Sequence, residues 1–434
     1  MLSQYLCTRE RDGEMVLFHA LHPVPIYCST DEWKRFSGSK TGGLDQLVAA
    51  LQDQGLLVAS ADEDRQAFAR AEETLFAKLD RPTILYLMTA QGCNFKCGYC
   101  MVPDMAEKHG ATLLSNEAAR AGIDLWLEHV HTMGDDGQEY YVIFYGGEPL
   151  LNKEVIVDSL EYLAELNDMG LLPGRTRYMV ATNGSMIDDQ FVSLCKQYQV
   201  SVAVGLDGPQ LVNDTLKVDL FGHSTYERIV RAIKLLVAAN IPTFISCSVT
   251  PFNIDQADQF GNFFRKLGVS KFGFNFLKGQ KLVDLVGKDG VTAYYRKAAQ
   301  VVMRQYQQDA EPGFEYQMEK KLEAFTRGKF FPVDCTCYGN QLVIQPDGQI
   351  SNCPFYKAML GDVQTTGRDF RIADQSIVHA WRKRLSLYQQ SDAKALCGGG
   401  CVWGLNDQGQ DTAGDIGSLI FAEEVLNEFI WNKP

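Results

Sequence analysis

Three cysteines, Cys93, Cys97 and Cys100, stand close together in "TAQGCNFKCGYC". Three thiols are one short of a closed zinc site, and the nearest histidine, His109, lies nine residues beyond Cys100. A [4Fe–4S] cube held by three thiolates keeps one iron open to a chelating ligand. Five more cysteines, Cys335, Cys337, Cys353, Cys397 and Cys401, crowd the C-terminal part. Eight of the twelve cysteines thus fall into two groups, which points to metal rather than to structural disulfides. Cys7, Cys28, Cys195 and Cys247 are isolated, and the last two sit in apolar patterns that predict core positions.

Both thiol groups need a scaffold. Apolar, strand-like runs at 84–89, 140–145, 177–182, 200–206, 244–249 and 272–277 alternate with helix-compatible segments at 115–134, 154–168, 187–197, 224–239, 256–267 and 291–308. In the fourth helical segment "STYE" reads as a capping box of Ser224 and Glu227, and residues 229, 230, 233, 236 and 237 make one apolar face. Strands that alternate with helices imply parallel βαβ units, and near-continuous apolar strands fit a sheet covered on both faces. The expected fold is α/β, a partial, open (β/α)6 TIM-like barrel over residues 81–310.

Residues 1–80 predict a small N-terminal α+β module. "MVLFHALHPVPIYC" is strand-like, with Pro23 and Pro25 marking a turn, and "STDEWKRF" opens a helix on Ser and Asp cap signals. A second helix ends near Gly55, and "DEDRQAFARAEETLFAKL" connects to the barrel. After residue 310 the alternation stops; Pro346-Asp347-Gly348 marks a hairpin between "QLVI" and "QISN" in a third domain, 311–434. A chain of 434 residues with 46% hydrophobic content suits two or three such domains. A net charge of −13 argues against wrapping nucleic acid. No secretory signal is evident and no apolar run approaches the roughly 20 residues that span a bilayer, so the expected location is cytoplasmic, with no membrane partner.

In parallel α/β folds, sites gather at the carboxyl ends of strands, and the first thiol group follows the first strand directly. CX3CX2C at that place resembles the radical S-adenosylmethionine superfamily, and the likeness extends over roughly residues 82–405. The resemblance implies that S-adenosylmethionine chelates the open iron through its amino and carboxylate groups. One electron from the cluster then cleaves the sulfonium, and the resulting 5′-deoxyadenosyl radical takes hydrogen from a substrate. It also implies cofactor-binding roles at matching positions. Tyr99 packs near the adenine; Gly146, Gly147, Glu148 and Pro149 of "GGEP" meet the amino group. Thr182 and Asn183 of "TNG", Asp207 of "GLDGP", Ser246 and Ser248 of "SCSV" and Asn275 of "FNFL" lie at family-like places along the later strands. Glycines let backbone approach closely and a carboxylate suits an ammonium, although an ordinary strand-to-helix turn would read the same.

Cys337, Gly348 and Cys353 reproduce CX10GX4C, which resembles the opening of SPASM and twitch domains, and "CGGGC" resembles the closing CX3C of the SPASM pattern. Tyr388 and Ser391 stand where that pattern has two further cysteines, so ligands remain for one auxiliary [4Fe–4S] cluster, drawn from Cys335, Cys337, Cys353, Cys397 and Cys401. A zinc ribbon is the alternative for this group. The resemblance implies a maturase of ribosomally made peptides acting on a precursor peptide. The chemistry could be a carbon–carbon or ether crosslink, epimerisation, a thioether or a dehydrogenation; a crosslink is the reading taken, because it can finish with loss of one electron and a proton, which suits one auxiliary cluster. Residues 1–80 would recognise the leader or else cap the barrel, and a flavodoxin or ferredoxin would donate electrons. Three alternatives stand beside it: a sulfatase-maturing enzyme, a small-molecule dehydrogenase, and a non-enzymatic iron–sulfur protein. Against the first, Pro354 follows Cys353 where those enzymes carry an aspartate.

Overall fold

The computed structural model describes residues 1–100, 112–134, 137–309, 313–330, 333–355, 358–385, 391–402 and 417–431; His109 and Tyr388 lie outside these. The chain opens with an antiparallel sheet of β1 (Leu6–Arg11), β2 (Glu14–His19) and β3 (His22–Ser29). Helices α1 (Thr30–Ser37), α2 (Asp45–Asp53) and α3 (Ala61–Leu79) follow. Pro23 and Pro25 lie inside β3 rather than in the turn, which falls at residues 20–21. β3 is an edge strand, where a missing N–H costs no ladder bond. β2 alternates between two cores: Val16 and Phe18 join the large barrel core, while Met15 and Leu17 pack with Leu47 and Leu51 of α2. The module is therefore welded to the barrel by its own sheet.

His19 ends β2 with its Nδ1 accepting the Leu21 N–H at 3.1 Å and its ring stacked 4.0 Å from that of His22. Burial, then the neighbouring His22, depresses its pKa to about 4. An unfolded histidine takes its proton near pH ~6.5, so the unfolded state binds more protons between these values. Stability contributed by neutral His19 is complete above pH ~6.5 and is lost as pH falls towards 4, by up to about 1.4 kcal/mol per pH unit. Urea unfolding at pH values across that window should show this slope. His19→Asn, whose carbonyl can accept the same N–H, should flatten it; an unchanged slope would place its origin elsewhere.

Six parallel strands then follow in spatial order: β4 (Ile84–Ala90), β5 (Tyr140–Gly146), β6 (Thr176–Thr182), β7 (Ser201–Gly205), β8 (Thr243–Val249) and β9 (Lys271–Phe276). Between them run α4 (Asn116–Met133), α5 (Lys153–Asp168), α6 (Asp189–Tyr198), α7 (Gln210–Leu216), α8 (Tyr226–Ala238) and α9 (Phe260–Lys266). The final helix of the barrel, α10 (Gly279–Gln308), begins earlier than its apolar pattern suggests and breaks at Gly287, where φ is 70°. This is the partial (β/α)6 barrel expected from the alternation. Cys195 and Cys247 are buried, as their apolar surroundings require.

The capping box is corrected. Ser224 gives its hydroxyl to Asp214 in α7, and the same carboxylate accepts the Thr225 and Tyr226 N–H groups at 3.2 Å each. A charged acceptor from the preceding helix thus caps α8 in place of the local hydroxyl.

Both edges of the barrel sheet are extended. The tail hairpin, β10 (Gln341–Ile344) and β11 (Gln349–Ser351), pairs β10 parallel to β4, and β12 (Met359–Asp362) lies outside it, making nine strands. At the other edge, Phe272 of β9 donates to Phe314 O and accepts from Tyr316 N–H, each at 2.9 Å. Among the described residues no helix is long and apolar enough to cross a membrane.

Candidate active site

The loop after β4 carries the first thiol group across the carboxyl ends of the strands. Two contacts clamp it from β5: Gly147 N–H donates to Ala90 O at 2.9 Å and Glu148 N–H to Gly92 O at 3.0 Å. A Cβ on Gly146 would stand 2.3 Å from Ala90 O, and one on Gly147 would stand 2.3 Å from Gly92 O. The two glycines of "GGEP" are thus required for the strand ends to touch, whatever ligand lies above. From the other side, Lys96 N–H reaches Val218 O and Gly98 N–H reaches Leu216 O, each at 2.8 Å.

Cys93 Sγ accepts the Phe95 N–H at 3.4 Å and the Asn183 amide at 3.7 Å. Burial pushes the Cys93 thiol up to about 11 and the Cys97 thiol up to about 12, and the thiols of the triplet raise one another. Binding a cation here must release thiol protons. Among the described residues no three such side chains converge tightly enough for a single ion. A cube presents its irons at separate corners, so three thiolates spread along one loop suit it better than they suit zinc.

Around this loop the polar residues singled out from the sequence form two braces. Glu148, fully buried and held protonated more readily by that burial, accepts from the Thr182 hydroxyl at 2.6 Å, the Asn183 N–H at 2.8 Å and the Leu150 N–H at 3.0 Å. Its carboxylate therefore ties β5 to β6 and has at most one lone-pair site left. Pro149 begins the short helical turn that follows. Asp207 accepts the Tyr99 hydroxyl at 2.5 Å and the Ser248 N–H at 2.9 Å, so the cysteine loop, β7 and β8 meet at one carboxylate. Asn275 donates to the Ser246 hydroxyl at 2.8 Å, beside these.

Lys217 was missed. It is buried, with Nζ 3.3 Å from Asp207 Oδ2, and its charge favours the thiolate of Cys97. A lysine after a short helix is ordinarily a solvated one, so nothing local marked it. Asn94 was also missed; it accepts from the Asn183 amide at 2.8 Å and donates to the Ser185 hydroxyl at 2.9 Å.

The second thiol group is organised by Asp334. Its carboxylate accepts the Gly398 and Gly400 N–H groups at 3.1 and 3.0 Å and pairs with buried Lys321, while its own N–H donates to Gly398 O at 2.9 Å. A Cβ on Gly398 would fall 2.1 Å from Asp334 N, and Gly399 has φ +82° with its carbonyl taken by the Tyr338 hydroxyl at 2.8 Å. "CGGGC" needs its glycines to wrap this aspartate. Cys335 and Cys337 Sγ atoms are 3.0 Å apart, and the hydrogen bond between them holds the Cys335 thiol below its ordinary value and raises that of Cys337. Cys335, Cys353 and Cys401 raise the Cys337 thiol, and Cys397 is pushed up to about 12 by burial and then by Asp334.

β10 runs parallel to β4, and Cys337 precedes it, so the second group sits towards the amino end of β4 and the first at its carboxyl end. The Tyr145 phenol, pushed up to about 12 chiefly by burial, is further raised by Cys100 and Cys93 from one group and Cys353 from the other.

Known proteins resemble this chain. The Radical SAM superfamily matches residues 87–264. The radical SAM cyclopropyl synthase TigE of Paramaledivibacter caminithermalis is 21% identical over 402 residues, covering 84% of this chain and 81% of its own length. A cysteine-type anaerobic sulfatase-maturating enzyme of Clostridium perfringens is 24% identical over 349 residues, covering 74% and 88%. The solved structure of native anSMEcpe with bound AdoMet superposes with a TM-score of 0.64 at 21% identity, covering 80% of this chain and 97% of that one. Streptococcus suis SuiB superposes with a TM-score of 0.51 at 13% identity, covering 93% and 96%. These likenesses establish a shared fold.

Proposed function

This chain is a radical SAM enzyme with its radical SAM domain over residues 87–264, and from that premise we propose that it modifies a precursor peptide by forming a crosslink. The observation that carries this reading is one strand, β4, with a thiol group towards each of its two ends. When bound, S-adenosylmethionine and a [4Fe–4S] cluster supply a carbon radical that removes hydrogen from a substrate.

In this reading Cys93, Cys97 and Cys100 would hold that cluster. Tyr99, Gly146, Gly147, Glu148, Pro149, Thr182, Asn183, Asp207, Ser246, Ser248 and Asn275 would line the cofactor site beside it. Glu148 and Asp207 would act mainly by holding that lining together. Cys335, Cys337, Cys353 and Cys401 would hold a second cluster, which would supply an electron acceptor. A crosslink removes two hydrogens from a peptide, so an acceptor is needed once the first has left as an atom. Residues 1–80 would hold the unmodified leader by strand addition at an edge of their sheet, and an external flavodoxin or ferredoxin would supply the first electron.

Iron content tests the second ligand set. Wild-type protein should hold about eight irons per chain, as roughly two four-iron clusters. Cys337→Ala should lower this to about four and Cys397→Ala should leave it unchanged. Equal loss in both variants would return Cys397 to the set, and zinc in place of half the iron would restore the ribbon.

The reaction itself is read by mass spectrometry after anaerobic incubation with S-adenosylmethionine, a reductant and candidate peptides. The expected product lacks two hydrogens, does not react with a hydrazide, and forms less well when the leader is trimmed. A hydrazide-reactive aldehyde would favour the second reading, formylglycine formation, which the sulfatase-maturating relatives support and Pro354 opposes.

A further inference from the structure

The inner face of the barrel carries two phenols, of Tyr86 and Tyr145, to which no role has yet been given. Leu85 and Leu87, on either side of Tyr86, are fully buried, as is Phe144 beside Tyr145, and Tyr140 on the same strand packs against Trp126 of α4. Strand alternation therefore turns Tyr86 and Tyr145 away from the helices and into the lumen, where both remain only partly buried. The register pairs Tyr86 with Ile143 and Met88 with Tyr145, which makes the two tyrosines diagonal neighbours on that face. Their rings lie 6.1 Å apart at 68°, and Tyr145 meets Phe355 edge-on at 6.4 Å.

The pair spans the space between the thiol groups. Tyr145 is influenced by Cys93, Cys100 and Cys353, and Tyr86 by Cys335 and Cys337. A phenol is protonated at physiological pH, so each is a hydrogen-bond donor there. Neither donates to another described residue. A phenol so enclosed ordinarily finds an acceptor.

We propose that Tyr86 and Tyr145 are positioning residues that hold the substrate peptide extended across the lumen, each phenol donating to one of two alternate backbone carbonyls. The side chain that reacts is thereby presented between the two thiol groups. Backbone recognition of this kind tolerates varied side chains, so it fixes where the peptide reacts rather than which peptide is taken.

This inference rests on the peptide reading above, and the test separates the two. The probe is a short fluorescein-labelled peptide, chosen from a random library because the reconstituted wild-type protein modifies it. Its affinity is measured by anisotropy, which reads binding without turnover. Tyr86→Phe and Tyr145→Phe keep the rings and remove only the donors; each should weaken binding roughly 3- to 10-fold. Tyr141→Phe, whose phenol already donates to Glu139 at 2.8 Å, should leave affinity unchanged. Wild-type affinity in both Tyr86→Phe and Tyr145→Phe overturns this inference and leaves the peptide reading standing. A library in which no peptide is modified overturns that reading, and this inference with it.

Discussion

With alanine at Cys93, Cys97 and Cys100 together, the protein is expected to release no 5′-deoxyadenosine from S-adenosylmethionine above that of a protein-free control. The loss should be on the order of 10⁶-fold or more, the span by which enzymes exceed uncatalysed reactions. The fold should survive, because the loop is held by its backbone. The bonds from Lys96 to Val218, Gly98 to Leu216 and Glu148 to Gly92 involve no thiol. What disappears is the weak acceptor that Cys93 offers to Phe95 and Asn183. The second thiol group supplies an internal control: about four irons should remain per chain, held near Cys337. Product formation by a variant that keeps those irons and unfolds like wild type would end the radical SAM assignment at these cysteines.

The strands were legible because a parallel sheet covered on both faces leaves near-continuous apolar runs. The runs at 84–89 and 272–277 fall within a residue or so of Ile84–Ala90 and Lys271–Phe276. The thiol groups were legible for a different reason, since ligand spacing is itself chemistry. What escaped was pairing at a distance. Nothing in "QLVI" says that it lies beside "ILYL" of β4, because apolar runs announce strands and not their neighbours. The cap of α8 escaped because its acceptor, Asp214, belongs to another helix. Pro23 and Pro25 misled because an edge strand tolerates what an inner one does not. The choice between Cys397 and Cys401 depends on a glycine loop folded round Asp334, a contact made across some sixty residues of chain. Tyr86 and Tyr145 read as ordinary strand residues until the register put them side by side.

Lys217 is the position where one uncharged substitution should do most to stability. Its Nζ is buried 3.3 Å from Asp207 Oδ2, and Gly205 leaves it room, since a Cβ there would come within 2.9 Å of that nitrogen. Lys217→Met removes the cation and leaves a buried carboxylate; breaking a buried pair in this way costs about 3–5 kcal/mol. Tyr99 and Ser248 still donate to Asp207, which argues for the lower end. The double variant Asp207→Asn with Lys217→Met should recover most of the stability, because an amide can still accept from Ser248 without a charge to bury. If the single variant unfolds at the wild-type urea concentration, Asp207 is not compensated by Lys217. In that case Tyr99, and the cysteine loop it anchors, must be held by the Asp207 hydrogen bonds alone.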